Sequence, residues 1–283
     1  MTSLKHTAWK RKIIKIFLCL IMSALALVFL YPLFFLLINS LKDKVAYYKD
    51  PFILPQTVSF KHYESLIKNF GVFGYIKNTL IISVFSILLT LVCALTASYT
   101  FAKLKFKGKN IAYMSIICTM FIPAQVTMIP LYVLISKLKL LNTFTGVVLT
   151  TSAAMLPSTI MLLRSNFTSI SDEMFEAARI DGANYFRIVW NILIPIGKPA
   201  IAISSIFNFL VVCNDLFRPM ILLRGVEKRT LTVALAALSN QTTKGGDPTY
   251  MFAAMFVSAL LPLVIYLIFS KQLVKGLTMG SIK

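Results

Sequence analysis

Long stretches without a charged residue alternate with short stretches rich in lysine. The charge-free runs are residues 16–38, 78–102, 110–136, 140–163, 199–214 and 248–270. A helix that crosses a bilayer needs about 20 mostly apolar residues, because the hydrocarbon layer is about 30 Å thick and each residue rises about 1.5 Å. Five of the runs meet that length directly. The fifth in order, 199–214, reaches it if the helix continues past Asp215 to residue 223. The pattern predicts an all-α, polytopic membrane protein with spans near 16–38, 78–102, 110–136, 140–163, 199–223 and 248–270. Six spans put both termini on one side.

Some positions modulate this frame. Pro32, Pro123, Pro130, Pro157 and Pro262 fall inside predicted spans, where each removes a backbone donor and bends its helix. Pro123 and Pro130 are expected to bend the third span twice on one face. The first run follows Lys10, Arg11 and Lys12 but is too long for a signal-peptide core of about 7–15 residues, so it reads as a retained span. Between spans 1 and 2, Phe60, Tyr63, Ile67 and Phe70 recur at helical spacing, which predicts a short amphipathic helix on the outer surface.

Composition removes the soluble alternatives. Of the 283 residues, 58% are hydrophobic and 14% charged, and the mean hydropathy is +0.79. Soluble domains carry about 25% charged residues, and disorder requires the opposite balance. The net charge of +19 comes from 29 basic and 10 acidic residues. The basic stretches are short and lie beside apolar runs, where they set topology and meet anionic headgroups rather than nucleic acid. With the N-terminus inside, inner segments hold sixteen Lys and Arg and outer segments thirteen. The bias is sharpest in KLKFKGK, residues 103–109. Segments 1–15, 164–198 and 271–283 are then inner as well. Cys19, Cys93, Cys118 and Cys213 all sit in apolar runs, so they read as buried thiols with no disulfide and no metal cluster. His6 and His62 lie outside the spans, which leaves no histidine metal site.

The most polar long inner segment runs from Arg164 to Lys198. Ser171 followed by Asp172 and Glu173 predicts a capped helix start. Gly182 predicts a left-handed stop. Asn184 predicts a second helix start, and Pro195 its end. On the first helix, Met174 and Phe175 are large and apolar, Ala177 and Ala178 are small, and Glu176 is charged. The segment is either a helix offered to a partner's groove, or a surface or intrachain packing element.

The spacing Glu176-Ala177-Ala178, three residues, Gly182, nine residues, Ile192, one residue, Ile194-Pro195 resembles the EAA loop of ABC-importer permeases. The family has Leu where this chain has Ile194. Further likenesses are Asn78-Thr79-Leu80, the segment CNDLFRP at 213–219, where Cys213 replaces a usual Trp, and the tail LVKGLTMGSIK at 273–283. The chain is most similar to permeases of the maltose-permease-like, binding-protein-dependent carbohydrate group. This resemblance implies a type I importer architecture in a bacterial cell membrane. It also implies a second permease chain, commonly a different one, a cytosolic ATPase dimer and an extracellular solute-binding protein, with a sugar or oligosaccharide as cargo. Phe175, Glu176, Ala177, Ala178, Asp181, Gly182, Ile192 and Pro195 would couple the chain to the ATPase. Gly182 would set the angle between docking helix and span 5, and Glu176 would meet a basic group. The chain has no G-x-x-x-x-G-K-[ST] phosphate loop, so ATP hydrolysis is expected on the partner and no cofactor is expected here.

Polar residues in spans are costly and often functional. Gln125, Thr127, Tyr132, Asn208, Asn214 and Asp215 are the candidates for a translocation path, although interhelical hydrogen bonds use the same residue types. Asn208 and Asn214, six residues apart, are not expected on one face. Asp215 either pairs locally with Arg218 or touches cargo, gate or binding protein. An intramembrane hydrolase would need His, or two acids, within the spans, and the sequence provides neither. A cargo such as a polyol or glycerol phosphate remains open. The shortage of Lys and Arg in the spans favours a neutral one.

Overall fold

The computed structural model describes residues 2–242 and 245–279, with side chains described for 14–242 and 245–270. All regular structure among these residues is helical. In chain order the helices are α1 Thr2–Ser40, α2 Lys44–Lys49, α3 Lys61–Lys68, α4 Val72–Lys103, α5 Lys109–Cys118, α6 Ala124–Lys137, α7 Phe144–Thr168, α8 Asp172–Ile180, α9 Tyr185–Ile188, α10 Ile194–Asn214, α11 Phe217–Leu222, α12 Leu231–Thr242 and α13 Pro248–Met279. Five helical stretches are long and apolar enough to cross a membrane: Ile14–Ser40, Val72–Lys103, Phe144–Thr168, Tyr185–Asn214 and Pro248–Ser270. The broken pair Lys109–Phe121 and Ala124–Lys137 brings the number to six if it is one crossing.

The second observed span begins at Val72, ahead of the expected 78, and the third, fourth and fifth differ for visible reasons. The third is two helices bent by 103° at Pro123. The residue before a proline is pushed out of the α region, and Ile122 is extended at φ −83°, ψ 117°. Pro130 stays within α6 and Pro157 within α7, so only Pro123 interrupts its helix. The fourth begins at Phe144 rather than 140, because Thr143 caps it, its hydroxyl accepting from the Gly146 amide at 3.1 Å. The fifth starts upstream of 199 and stops at Asn214, with Asp215 extended at φ −75°, ψ 107°. The side chains of residues 271–279, and residues 280–283, lie outside the description, and with them most of the tail resemblance.

The chain divides into two units. One comprises Met1–Phe70 with Leu238–Ala259. Within it the buried Lys42 ammonium donates to the carbonyls of Asp50 at 3.1 Å and Pro51 at 3.0 Å. The α3 helix forms as expected but turns a different face inward. His62 and Leu66 are buried, whereas Phe60 and Ile67 are exposed. The reason is polar: His62 Nε2 lies 2.9 Å from the Thr249 hydroxyl and 3.2 Å from the Lys42 carbonyl.

The other unit comprises Gly71–Ala237 with Leu260–Lys283. Its centre is α4 against α7, a seam of small hydroxyl residues. Ser152 Oγ donates to the Ser86 carbonyl at 3.1 Å, and Ser98 Oγ to the Ile160 carbonyl at 3.2 Å. Small residues let the two backbones approach where lipid offers no hydrophobic drive. The α10 helix closes on both, with Gly197 against Phe167: a Cβ there would stand 2.8 Å from the ring. At one end of the seam, Ile82, Ile135, Val147, Met155 and Leu222 form a core. At the other, Tyr99, Leu163, Phe167, Phe175, Ile188 and Leu193 form a second. Cys19, Cys93 and Cys118 are exposed rather than buried, and Cys213 is half-buried. In a lipid-facing chain the apolar exterior accepts thiols as readily as the interior does.

Candidate functional site

The second of these cores carries the segment singled out by its EAA spacing. Ser171 precedes α8 but makes no capping bond with its side chain, against expectation. The start is held instead by Lys103, the last residue of α4, which donates to the Ile170 carbonyl and, at 2.6 Å, to Asp172 Oδ1. That hydrogen bond and charge hold the exposed Asp172 carboxyl below its usual range.

For Phe175 the intrachain-packing alternative describes the ring, which is 2% exposed. The ring packs tilted against Tyr99, centroids 5.8 Å apart, and the Lys103 ammonium lies 5.1 Å from its centroid. One turn on, Arg179 Nη2 donates to the Tyr99 hydroxyl at 3.2 Å. The reason is tertiary: the ends of α4 and α7 present an aromatic hollow that accepts the ring. Residues on the other faces of α8 stay free. Glu176 and Ala177 are exposed, Met174 is 43% and Ile180 86% exposed, and Ala178 packs inward.

The helix stops as its glycine predicts. Gly182 has φ +77°. Its amide donates to the Arg179 carbonyl at 3.0 Å, and the Ala183 amide to the Ala178 carbonyl at 2.9 Å. This pair of bonds is the Schellman closure, with Gly in the left-handed position. Asp181 caps the end and is exposed. Asn184 then starts α9 by accepting from the Arg187 amide at 2.9 Å. Tyr185 reaches back to α4, donating to the Thr96 carbonyl at 2.8 Å.

Pro195 does not end the second helix. Residues Val189–Leu193 form a π turn, in which the Ile194 amide bonds the Val189 carbonyl, and α10 follows without interruption. A proline cannot donate to the fourth carbonyl before it and crowds that carbonyl. The wider turn just upstream shifts the ladder and absorbs the conflict. Ile192 is half-buried against the core, while Pro195, Phe186 and Trp190 are exposed. Lys103, Tyr99 and Tyr185, which hold the segment, carried no signal of their own. The lysine belongs to a basic loop end, Tyr99 to an apolar run and Tyr185 to the polar inner segment.

The path candidates separate. An open groove of about 520 Å³ between α7 and α10 is lined by Ser158, Thr159, Ser204, Phe207, Asn208 and Asn214, among others. Asn208 Nδ2 donates to Thr159 Oγ1 at 3.1 Å. Asn208 and Asn214 stand about 120° apart on an ideal helix, yet both line this groove, which wraps the end of α10. Gln125 and Thr127 lie exposed on α6, away from it. Tyr132 accepts from Arg224, and Asp215 pairs with Arg218 at 3.0 Å with its side chain 8% exposed. The expected local pair of Asp215 with Arg218 is thus present.

The pH behaviour of the α8 start follows. A carboxyl held low in the fold contributes above its ordinary value and loses that contribution only as pH falls through the lowered one. The Lys103–Asp172 pair is therefore expected to persist through mildly acidic pH. Exchange protection of α8 should be flat from pH 8 to 5 and fall in stronger acid. In Asp172→Asn that acid step should disappear.

Comparison with known proteins agrees with this architecture. The family model described as binding-protein-dependent transport system inner membrane component matches residues 86–278. The arabinooligosaccharides transport system permease protein of Bacillus subtilis is 31% identical over 95% of this chain and 96% of its own length. The diacetylchitobiose uptake system permease protein of Streptomyces coelicolor is 28% identical over 91% and 85%. A chain from the crystal structure of a bacterial ABC transporter involved in import of the acidic polysaccharide alginate superposes with a TM-score of 0.78, at 27% identity, over 92% of this chain and 96% of that one. A helix cradled by its own core but open on its other faces, a glycine-closed turn and a multi-pass helical body thus converge with the alignments: the chain belongs to the inner-membrane permease family of binding-protein-dependent ABC transporters.

Proposed function

We propose that this permease forms half of a translocation path for a sugar or oligosaccharide, beside a second and different permease chain. A dimer of cytosolic ABC ATPases drives it, and an extracellular solute-binding protein delivers the cargo. Both termini and residues 103–109 and 164–198 face the cytoplasm, and the cell membrane of a bacterium holds the spans. Relatives named for diacetylchitobiose and arabinooligosaccharides support the cargo class. So does the chemistry of the α7–α10 groove, whose hydroxyl and amide groups suit neutral sugar hydroxyls.

The observation that carries coupling is the two-sided α8: Phe175 and Arg179 clamp it to α4, while Glu176, Ala177 and Ile180 stay open. A partner gripping the open side moves the clamped side with it. Rocking then follows from ATP-dependent affinity for one of two states. Glu176→Lys should detach the ATPase from membranes, and deletion of residues 176–178 should do so more completely. Undiminished ATPase on membranes carrying either variant rejects the assignment, as does extracellular labelling of cysteines placed at 172–190.

In the groove, Asn208→Leu removes a neutral hydrogen-bonding group without orphaning Thr159, whose hydroxyl also reaches the Met155 carbonyl at 2.8 Å. A hydrogen bond is worth about 0.5–1.5 kcal/mol net. Uptake is expected to fall up to about tenfold, with the ATPase still assembled.

A further inference from the structure

The loop joining α4 to α5 has an excess of positive charge that the coupling segment does not use. Lys103 is neutralised by Asp172. Lys109 is within electrostatic reach of Arg164, Lys103 and Lys105, and the acid within its reach is the same Asp172. Lys105 and Lys107 are exposed. Arg164 is fixed in place: its Nε donates to the Phe101 carbonyl at 3.2 Å, and its guanidinium lies 3.9 Å from the Tyr113 ring centroid. The Lys109 ammonium donates to the Leu104 carbonyl at 2.9 Å, so it closes the end of α4 and keeps its charge in the loop.

Apolar surface lies directly beside this charge. Phe106 is 44% exposed and Ile111 76% exposed. Both line a shallow groove of about 430 Å³ together with Lys105 and Lys109. An apolar helix ends here and another begins, so the loop stands at the depth where hydrocarbon gives way to headgroups. Cations and apolar side chains lining one groove match a molecule that is anionic at one end and hydrocarbon at the other. A soluble anion would leave Phe106 and Ile111 bare.

We propose that residues 105–111 form a binding site for an anionic phospholipid: Lys105 and Lys109, which line the groove, and the exposed Lys107 take the headgroup phosphate, and Phe106 and Ile111 contact the acyl chains. The site adjoins the coupling segment: Lys105 and Phe106 also line a pocket of about 450 Å³ with Glu176 and Arg179. Its occupant lies beside Lys103, the residue that holds the start of α8.

The test uses the detergent-purified importer complex, native mass spectrometry and added phosphatidylglycerol, with phosphatidylcholine and inorganic phosphate as comparison ligands. Wild type should retain phosphatidylglycerol in preference to phosphatidylcholine, and millimolar phosphate should not displace it. A lysine near an anionic surface contributes about a factor of five in affinity. Lys105→Gln with Lys107→Gln should therefore lower occupancy roughly 25-fold, and Lys105→Arg with Lys107→Arg should keep it. Equal occupancy in wild type and the glutamine variant overturns the site. Displacement by phosphate makes it a site for a free anion. Loss of the ATPase subunit with lipid occupancy unchanged makes it a protein contact instead.

Discussion

Phe175→Ala is expected to lose most uptake while the chain still inserts in the membrane. The ring is fully enclosed by Tyr99, Lys103 and the second core. Truncating a buried Phe costs about 3–5 kcal/mol through lost transfer energy and the cavity left behind. Here the loss falls on a local element. The α8 helix has nine residues, too short to persist without packing. Its remaining polar ties to α4 are the Arg179–Tyr99 and Lys103–Asp172 contacts, each with its α8 partner exposed, and a pair open to water on one side holds a short helix weakly. The outcome should be an α8 that still bears Glu176 but no longer stands on α4. ATPase activity should then persist while uptake falls by two orders of magnitude or more. Exchange protection should drop in residues 172–183 and stay unchanged in the α4–α7 seam. Phe175→Leu, which fills most of the hollow, should recover much of the coupling. If Phe175→Ala transported at the wild-type rate, α8 would not carry force through its buried face.

Gly182→Val should uncouple by a different route. A Cβ at this position would meet nothing within 4 Å, so crowding is not the obstacle. The obstacle is the backbone, at φ +77°. A left-handed residue other than glycine costs roughly 1–2 kcal/mol, and a branched Cβ makes it an outlier. Relief requires a negative φ, which undoes both closing bonds to Ala178 and Arg179 and re-aims α8 against α9. Uptake per ATP hydrolysed should fall at least tenfold. Gly182→Asn, which tolerates the left-handed region, should retain most of it. Equal coupling ratios in the Val and Asn variants would count against the turn as the angle-setting element.

These two residues also show what the sequence made legible. Gly182 and Asn184 act through bonds to residues within five positions of themselves, so local pattern suffices to read them. The spacing from Glu176 to Pro195 was legible for the same reason. The burial of Phe175 was not, because the hollow that receives it is built from Tyr99, some 76 positions earlier in the chain. A bend at Pro123 was legible, but the depth of the break there and the unbroken helix through Pro157 were not. Both residues are prolines in apolar runs, and they differ only in what packs around them. Pro157 is buried in α7, whereas Pro123 sits exposed between two short helices. Among the path candidates, Asn208 and Asn214 were separable from Gln125 and Thr127 only once the pairing of α7 with α10 was known. Polarity marked all four alike.

The π turn at Val189–Leu193 bears on how the two ends of one rod are phased. Five residues there occupy the angular span that a regular helix gives to about four, so everything downstream is rotated by about 100° relative to an uninterrupted helix. Under the proposed function, the end that meets α8 and the end that lines the α7–α10 groove are therefore phased independently. Inserting or removing a single residue upstream of Pro195 would swing Asn208 off Thr159 without disturbing α8. A lineage of such permeases could thereby re-aim its lining toward new solutes while keeping the same motor.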